Sequence, residues 1–526
     1  MGEGRRRTPL KGFFKTYISG IIRAAVVALL VIAQFLLIFL LAFRLYKYDI
    51  LIYIILEAMS IFVVFGIVNK RTSNSFKIGW MVIISLLPIA GLIMYLLWGR
   101  SRPTRDIRKR HMSYIRHINS FNVPDGAELQ EFGRTFPDYS KLARLGENYG
   151  FPLTKGNCVR YFDSGENAFD VLLDDLDSAE KFIFMSFFIV ASGALWEKIK
   201  PILKNKASKG VEVRFLYDDF GSMFRTDDQF WKDLDSLGIK NASFNRITKY
   251  LNKLYLNYRN HQKIVVIDGN IGYTGGFNLA DEYVNAIERF GYWKDGGVRI
   301  EGPAVWGLTT VFLGMWDLTV HDMEADVDRF RPKERTLAFD TEYKDNRDCA
   351  NEDTTWTGCG GDAFCQIISD GPENNPDNPI LDMITQLLCQ SQEYLYISTP
   401  YLVLEDELGN ALIQAAKSGV DVRIVTPGIP DKKVVNQLTK YNYGRLLEGG
   451  VRVFEYTPGF IHIKNIVTKG CSLIGTINLD YRSLFLHYEC GAVIWDEELN
   501  RAAKEDMEKT FGVSREITLE MWKNRP

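Results

Sequence analysis

Two of the chain's six histidines open the same phrase. His261 and His462 are each followed two residues later by a lysine, Lys263 and Lys464. Sixteen or seventeen residues after each histidine comes an asparagine, Asn278 and Asn478. A single histidine beside a strand is ordinarily structural, but packing does not demand the same three polar residue types twice. Brought to one cleft, two imidazoles, two ammonium groups and two carboxamides suit a phosphodiester, whose non-bridging oxygens the lysines and asparagines would hold. A neutral imidazole can attack phosphorus to give a phosphohistidine, while a protonated one donates to the departing alkoxide. An ordinary imidazole pKa of about 6.5 lets two rings carry opposite protonation states near neutrality. The ammonium groups carry the electrostatic load, so the reading requires no metal and no cofactor.

Each imidazole also needs a carboxylate on its other ring nitrogen. Asp295, in GYWKDGGVRI, and Glu489, in LHYECGAVIW, occupy matching places and are assigned that task, the alternative for either being a surface carboxylate. Asp281 and Glu282 lie nearer to the first motif but read as helix-terminal residues. Asp268, five residues after Lys263, completes the pattern His-x-Lys-x4-Asp in the first copy; the second copy has Lys469 at that place.

The elements that position these residues are themselves repeated. From about Phe151 the chain alternates strand-like apolar runs with amphipathic helical stretches, the pattern of α/β architecture. Lys181–Val190 and Tyr394–Val403 are both strand-like, and each is followed by a helix and a related phrase, GVEVRF from Gly210 and GVDVRI from Gly419. The repeat spacing is about two hundred residues, and such internal similarity determines how the fold is drawn. Two homologous α/β halves, 151–325 and 364–526, are expected to pack face to face. Between them, 326–363 is polar and mixed in charge, a linker or surface excursion. It contains Cys349 and Cys359, with Cys365 just beyond; C-x9-C-x5-C matches no common zinc pattern, so free thiols are expected.

The first hundred residues are of another kind. Uncharged or nearly uncharged stretches at Ala24–Phe43, Ile50–Asn69 (with Glu57) and Ile78–Gly99 (with Pro88) are each about twenty residues long, enough to cross a hydrocarbon core of roughly 30 Å. Residues 1–99 are therefore expected to be a membrane anchor of up to three helices, not a cleaved signal peptide, and 100–150 a basic juxtamembrane linker. Arg100, Arg102, Arg105, Arg108, Lys109 and Arg110 favour the cytoplasmic face and anionic headgroups, but so does the tail with Arg5, Arg6, Arg7, Lys11 and Lys15. Three crossings cannot satisfy both clusters. Glu57 marks the second stretch as the weaker spanner.

Composition narrows the rest. In 526 residues, 63 Lys and Arg against 65 Asp and Glu leave a net charge of −2, without the basic surface that nucleic-acid binding requires. A hydrophobic content of 46% excludes a disordered chain, and seven cysteines are too few for a disulfide scaffold.

The paired motif resembles that of the phospholipase D superfamily, and LYDDFGS (from Leu216), IGYTGGFNLADEY (from Ile271), STPYLV (from Ser398), NLDYRS (from Asn478) and SREITLEMWKNR (from Ser514) are similar to bacterial cardiolipin synthases. The resemblance runs from about residue 151 to the C-terminus. It implies a phosphatidyltransferase of the bacterial cell membrane with a cytoplasmic body. His261 would attack one phosphatidylglycerol while His462 protonates the glycerol released; a second phosphatidylglycerol, deprotonated by His462, would then take the phosphatidyl group and yield cardiolipin. Which histidine attacks is carried over from the family, the motif being nearly symmetric. The implied partners are phosphatidylglycerol and other anionic lipids, with no nucleic acid; an oligomer is compatible with the sequence. Asp268 belongs to the family's motif but is expected to brace it. Lys469 and the pair Gly296-Gly297, where the family usually carries bulkier polar residues, are departures. A hydrolase or another phosphatidyltransferase would use the same intermediate with a different acceptor, and Lys469 motivates a non-catalytic membrane scaffold as a further alternative.

Overall fold

The repeated runs form two copies of one sheet. The computed structural model describes residues 47–70, 72–99, 105–123, 125–246, 257–332, 361–375 and 377–525, with Leu29, Ile32, Ala33 and Leu36. The first half supplies β1 (Leu153–Phe162), β2 (Phe182–Phe187), β3 (Glu212–Asp218), β4 (Lys240–Phe244), β5 (Arg259–Asn260), β6 (Ile264–Ile267), β7 (Ile271–Gly275), β8 (Tyr292–Lys294) and β9 (Gly297–Glu301). The second supplies β10 (Ala363–Asp370), β11 (Tyr394–Ser398), β12 (Leu402–Val403), β13 (Asp421–Pro427), β14 (Arg452–Tyr456), β15 (Gly459–Ile461), β16 (Asn465–Thr468), β17 (Cys471–Gly475), β18 (Leu479–Asp480), β19 (His487–Trp495) and β20 (Ser514–Ile517).

From the outer edge inward, the first half runs β4-β3-β2-β6-β7-β9-β1; the second runs β14-β13-β11-β16-β17-β19-β10 in the same order, with β20 added as an extra edge strand outside β14. The repeat seen in the sequence is therefore a repeat of topology. β1 and β10 pair antiparallel, with Leu153 opposite Gln366 and Thr154 opposite Cys365, so the halves share one continuous sheet as well as facing each other. Thr274 Oγ1 lies 3.6 Å from Cys490 Sγ across the facing seam. One hydrophobic cluster joins Phe184, Ile264 and Val298 to Ile367, Val467 and Ile494, each worth roughly 1.5–3 kcal/mol on burial. Two short parallel pairings also cross between halves: β5 with β19, and β15 with β8. These deliver the chain to His261 and His462.

The N-terminal region departs from expectation. Helix α1 spans Lys47–Val68 and carries Lys47, Asp49 and Glu57. The third apolar stretch is not one helix. Pro88 lacks an N–H and starts a new helix, dividing the stretch into α2 (Asn74–Leu86) and α3 (Pro88–Trp98). The chain folds back, placing the Trp80 and Tyr95 rings 5.3 Å apart, where an unbroken helix would separate them by about 22 Å. At Gly91 the turn is so close that a Cβ would lie 2.7 Å from the Ile83 carbonyl oxygen. Among the described residues no helix is long and apolar enough to cross a membrane. The first stretch, 24–43, lies outside the described residues apart from the four isolated positions.

Residues 100–150 are more than a linker. Helix α4 (Arg105–Asn119) and the helices Gly126–Thr135 and Ser140–Asn148 fold onto the body, where Phe132 packs with ring centroids 5.3 Å from Phe364 and 4.7 Å from Trp495. Cys365 is a buried free thiol and Cys158 is disulfide-bonded. Cys349, Cys359 and most of the expected 326–363 excursion lie outside the described residues.

Candidate active site

β5 ends at Asn260 and β15 at Ile461, so each motif histidine begins where a strand borrowed by the other half stops. The His261 N–H donates to the Tyr488 carbonyl at 2.9 Å, and the His462 N–H to the Lys294 carbonyl at 2.7 Å. Backbone pairing thus fixes each ring against the opposite half. The carboxylates follow: His261 Nδ1 lies 2.9 Å from Glu489, and His462 Nδ1 lies 2.7 Å from Asp295. Asp295 and Glu489 hold the rings, as their matching places suggest, but each serves the histidine of the other half. A carboxylate at Nδ1 keeps that nitrogen protonated and leaves the Nε2 lone pair for chemistry.

Lys263 Nζ donates to the His261 carbonyl at 2.5 Å, and Lys464 Nζ makes the matching bond to the His462 carbonyl. All six groups are buried. Burial pushes His462 down to about 4, with the Lys464 ammonium adding to the fall and Asp295 opposing it. Burial also takes Lys464 to about 7 and Lys263 to about 8, against the pull of the two carboxylates. His261 falls well below its ordinary value, again through burial. For Asp295 and Glu489, burial favours the neutral acid, but His462 and His261 respectively outweigh it and hold the carboxylates low. Burial thus opposes the proton on each imidazole and each lysine, while the paired carboxylates oppose its loss. An anionic phosphodiester would draw those protons in.

The asparagines differ. Asn278 is committed locally, its Oδ1 accepting from the Ile189 N–H at 2.9 Å and its Nδ2 donating to the Tyr283 hydroxyl at 2.7 Å. Asn478 is less committed: its Oδ1 is buried without a partner, and its Nδ2 is the donor suited to a phosphodiester oxygen. Gly296 and Gly297 are explained by space: a Cβ on Gly296 would lie 2.5 Å from the Phe162 carbonyl oxygen, and one on Gly297 2.6 Å from that of Thr274.

Asp268 is placed apart from the reacting groups. It adopts φ 53°, and its carboxylate accepts from the backbone N–H groups of Glu180, Lys181 and Phe182 at 2.7, 2.7 and 2.8 Å. It ties the turn after β6 to the start of β2, so it braces the motif and does not touch the cleft. In the second half the equivalent Lys469 instead pairs with the exposed Glu393 side chain. The departure from the motif therefore removes a brace and no chemistry. Asp268→Ala is expected to cost about 1–3 kcal/mol through lost N–H partners, and Lys469→Ala at most about 1 kcal/mol. Urea unfolding of both variants would measure this; equal losses would contradict the placement.

Several residues of the site carry no signal in the paired motif. Tyr283 and Trp293 pack on His462, each with ring centroids 5.4 Å away, and Phe188 lies 5.0 Å from His261. The Thr476 and Ser483 hydroxyls both donate to Glu489, the latter at 2.6 Å. Aligning the two halves through Asp295 and Glu489 would have set Trp293 on His487 and exposed the asymmetry. Among the described residues, one group of potential metal ligands, His261, His487 and Glu489, has its atoms within 4.8 Å of one another. However, the Glu489 oxygens already accept from His261, Thr476 and Ser483.

Two half-sites, each with an imidazole on the partner half's carboxylate and an ammonium beside it, define a two-histidine phosphodiester-processing enzyme. The comparisons agree. A model described as cardiolipin synthase, phospholipase D-like domain, matches residues 172–288 and 384–511, and one described as phospholipase D-nuclease N-terminal matches 58–100. A cardiolipin synthase of Oceanobacillus iheyensis is 31% identical, covering 88% of this chain and 92% of its own; cardiolipin synthase 1 of Staphylococcus aureus is 30% identical, covering 90% and 92%. An uncharacterized protein of Streptococcus mutans is 37% identical over 86% of this chain and 93% of its own. The crystal structure of a phosphatidylserine synthase from Haemophilus influenzae shares the fold, with TM-score 0.52 and 15% identity over 72% of this chain and 92% of its own. The chain belongs to the phospholipase D superfamily, within the cardiolipin synthase family.

Proposed function

We propose that this protein joins two phosphatidylglycerols into cardiolipin and glycerol through a phosphohistidine. The reciprocal pairs His261–Glu489 and His462–Asp295 carry this reading, because they leave two Nε2 atoms for one phosphorus. His261 Nε2 gives its lone pair to phosphorus, the P–O bond to glycerol breaks, and the departing oxygen takes the proton from His462 Nε2. Asp295 stabilises the imidazolium that His462 must be beforehand. In the second step His462, now neutral, removes the proton from the incoming phosphatidylglycerol hydroxyl as its oxygen attacks phosphorus, and the P–N bond breaks to restore His261. Lys263, Lys464 and Asn478 hold the non-bridging oxygens.

The test is a product assay on the full chain in phosphatidylglycerol vesicles with a metal chelator. Cardiolipin with equimolar glycerol supports the transferase; phosphatidic acid would assign a hydrolase.

The α2–α3 hairpin supports a membrane arrangement in which the anchor sits at the body's cleft. Ser73, just before α2, donates to Glu405 at 3.1 Å, and Glu405 follows β12, which pairs with β18 next to Asn478. From α4, Arg108 Nε donates to the Glu373 carbonyl at 2.7 Å, and Glu373 accepts from Tyr488, the residue between His487 and Glu489. The anchor thus meets the body beside the cleft, where lipid would enter. The basic clusters of the tail and of 100–110 then share one side of the membrane, taken as cytoplasmic. Labelling single cysteines in the tail and body with an impermeant maleimide decides; tail and body on different sides would exclude this arrangement.

A further inference from the structure

We propose that His487 is a third imidazole of this site, a substrate-binding residue whose ring N–H holds a non-bridging oxygen of the phosphodiester beside His261. The inference rests on the phosphodiester reading above and adds a residue that the paired motif does not contain. His487 opens β19 and is 9% exposed. Its ring centroid is 5.3 Å from that of His261 and 6.5 Å from that of Phe188. Neither of its ring nitrogens has a hydrogen-bond partner. Its Nδ1 lies 3.6 Å from Glu489 Oε1, an oxygen already taken by the Ser483 hydroxyl.

The other half shows what a purely structural ring at this position looks like. Trp293, two residues before Asp295 as His487 is two before Glu489, packs on the opposite histidine and donates its only N–H to Asp295 at 3.3 Å. His487 packs in the same way but leaves two nitrogens unused. An unmet buried polar group costs about 1–3 kcal/mol, so a ring needed only for packing would be better apolar. A ligand oxygen removes that cost. The site also needs the donor: Lys263 and Lys464 each already hold a backbone carbonyl, and an imidazole N–H adds a further hydrogen-bond donor beside them.

The probe is inorganic phosphate, titrated calorimetrically into full-length protein with chelator present, for wild type, His487→Ala and His487→Asn. Kinetics on phosphatidylglycerol vesicles and thermal unfolding are measured in parallel. His487→Ala is expected to weaken phosphate binding about tenfold, the loss of one hydrogen bond to a charged group. It should raise KM by a similar factor with a smaller fall in kcat, and leave Tm unchanged or higher. His487→Asn keeps an N–H and should recover most of the affinity. Phosphate affinity within twofold of wild type in a folded His487→Ala protein would overturn the proposal. So would phosphate binding that requires added Zn2+ and vanishes in His487→Ala, which would make the trio a metal site. His487-dependent phosphate binding in a protein that forms no cardiolipin would keep this inference and reject the transferase; cardiolipin synthesis with unchanged phosphate affinity in the variant would do the reverse.

Discussion

His462→Ala should abolish turnover of phosphatidylglycerol while still forming the covalent intermediate from a phosphatidyl ester of p-nitrophenol. Glycerol leaves as a strongly basic alkoxide and needs the proton that His462 supplies, a contribution of about 10²–10⁴-fold. Nitrophenolate needs none, so the acid becomes dispensable for the first step. His261→Ala should turn over neither substrate, because no nucleophile remains. Glu489→Gln should slow the nitrophenyl reaction by about 10–100-fold, since it holds the His261 tautomer at 2.9 Å. A burst of nitrophenol with label retained on His261 is the decisive measurement. A burst in His261→Ala and none in His462→Ala would exchange the roles of the two histidines, which the near symmetry of the half-sites permits.

Lys464→Met should cost about 10²–10³-fold in kcat, as removal of a transition-state donor does, and at the same time stabilise the fold. Burial takes Lys464 from an ordinary 10.5 to about 7, so the folded state binds its proton less tightly than the unfolded chain. Below pH 7 both states are protonated and the cost of burying the ammonium is fully present. Between pH 7 and about 10 the folded state sheds the proton first, so wild-type stability rises with pH. Lys464→Met should therefore be more stable than wild type by on the order of 2–4 kcal/mol near pH 6, with the gain shrinking toward pH 10. Denaturant unfolding at pH 6, 8 and 10 checks the sign. Destabilisation at pH 6 would mean that the ammonium is paired more strongly than its depression implies. Wild-type kcat/KM should likewise fall at high pH as the lysines discharge, and at low pH as His261 becomes protonated.

Much of the protein was legible in the chain because the relevant signal is local. The spacing of His261, Lys263 and Asn278 recurs at His462, Lys464 and Asn478, and residue type with spacing is enough to name a phosphodiester. The repeated apolar runs forecast two α/β halves, and strand order within them agrees position by position. The matching places of Asp295 and Glu489 identified the orienting carboxylates.

What tertiary structure decided were relations between residues far apart in the chain. Glu489 serves a histidine 228 residues away and Asp295 one 167 away. This exchange arises because β5 and β15 each pair with a strand of the other half, and no periodicity encodes a choice between two nearly equivalent seams. The third apolar stretch looked long enough to span because hydropathy counts residues, whereas Pro88 and the close approach at Gly91 turn the backbone back on itself. The brace expected of Asp268 is likewise a tertiary relation: its carboxylate caps three backbone N–H groups away from the cleft, and Lys469 leaves the second half without that brace. His487 was invisible for the opposite reason. It has no histidine counterpart in the first half, and only the folded seam sets its ring against His261.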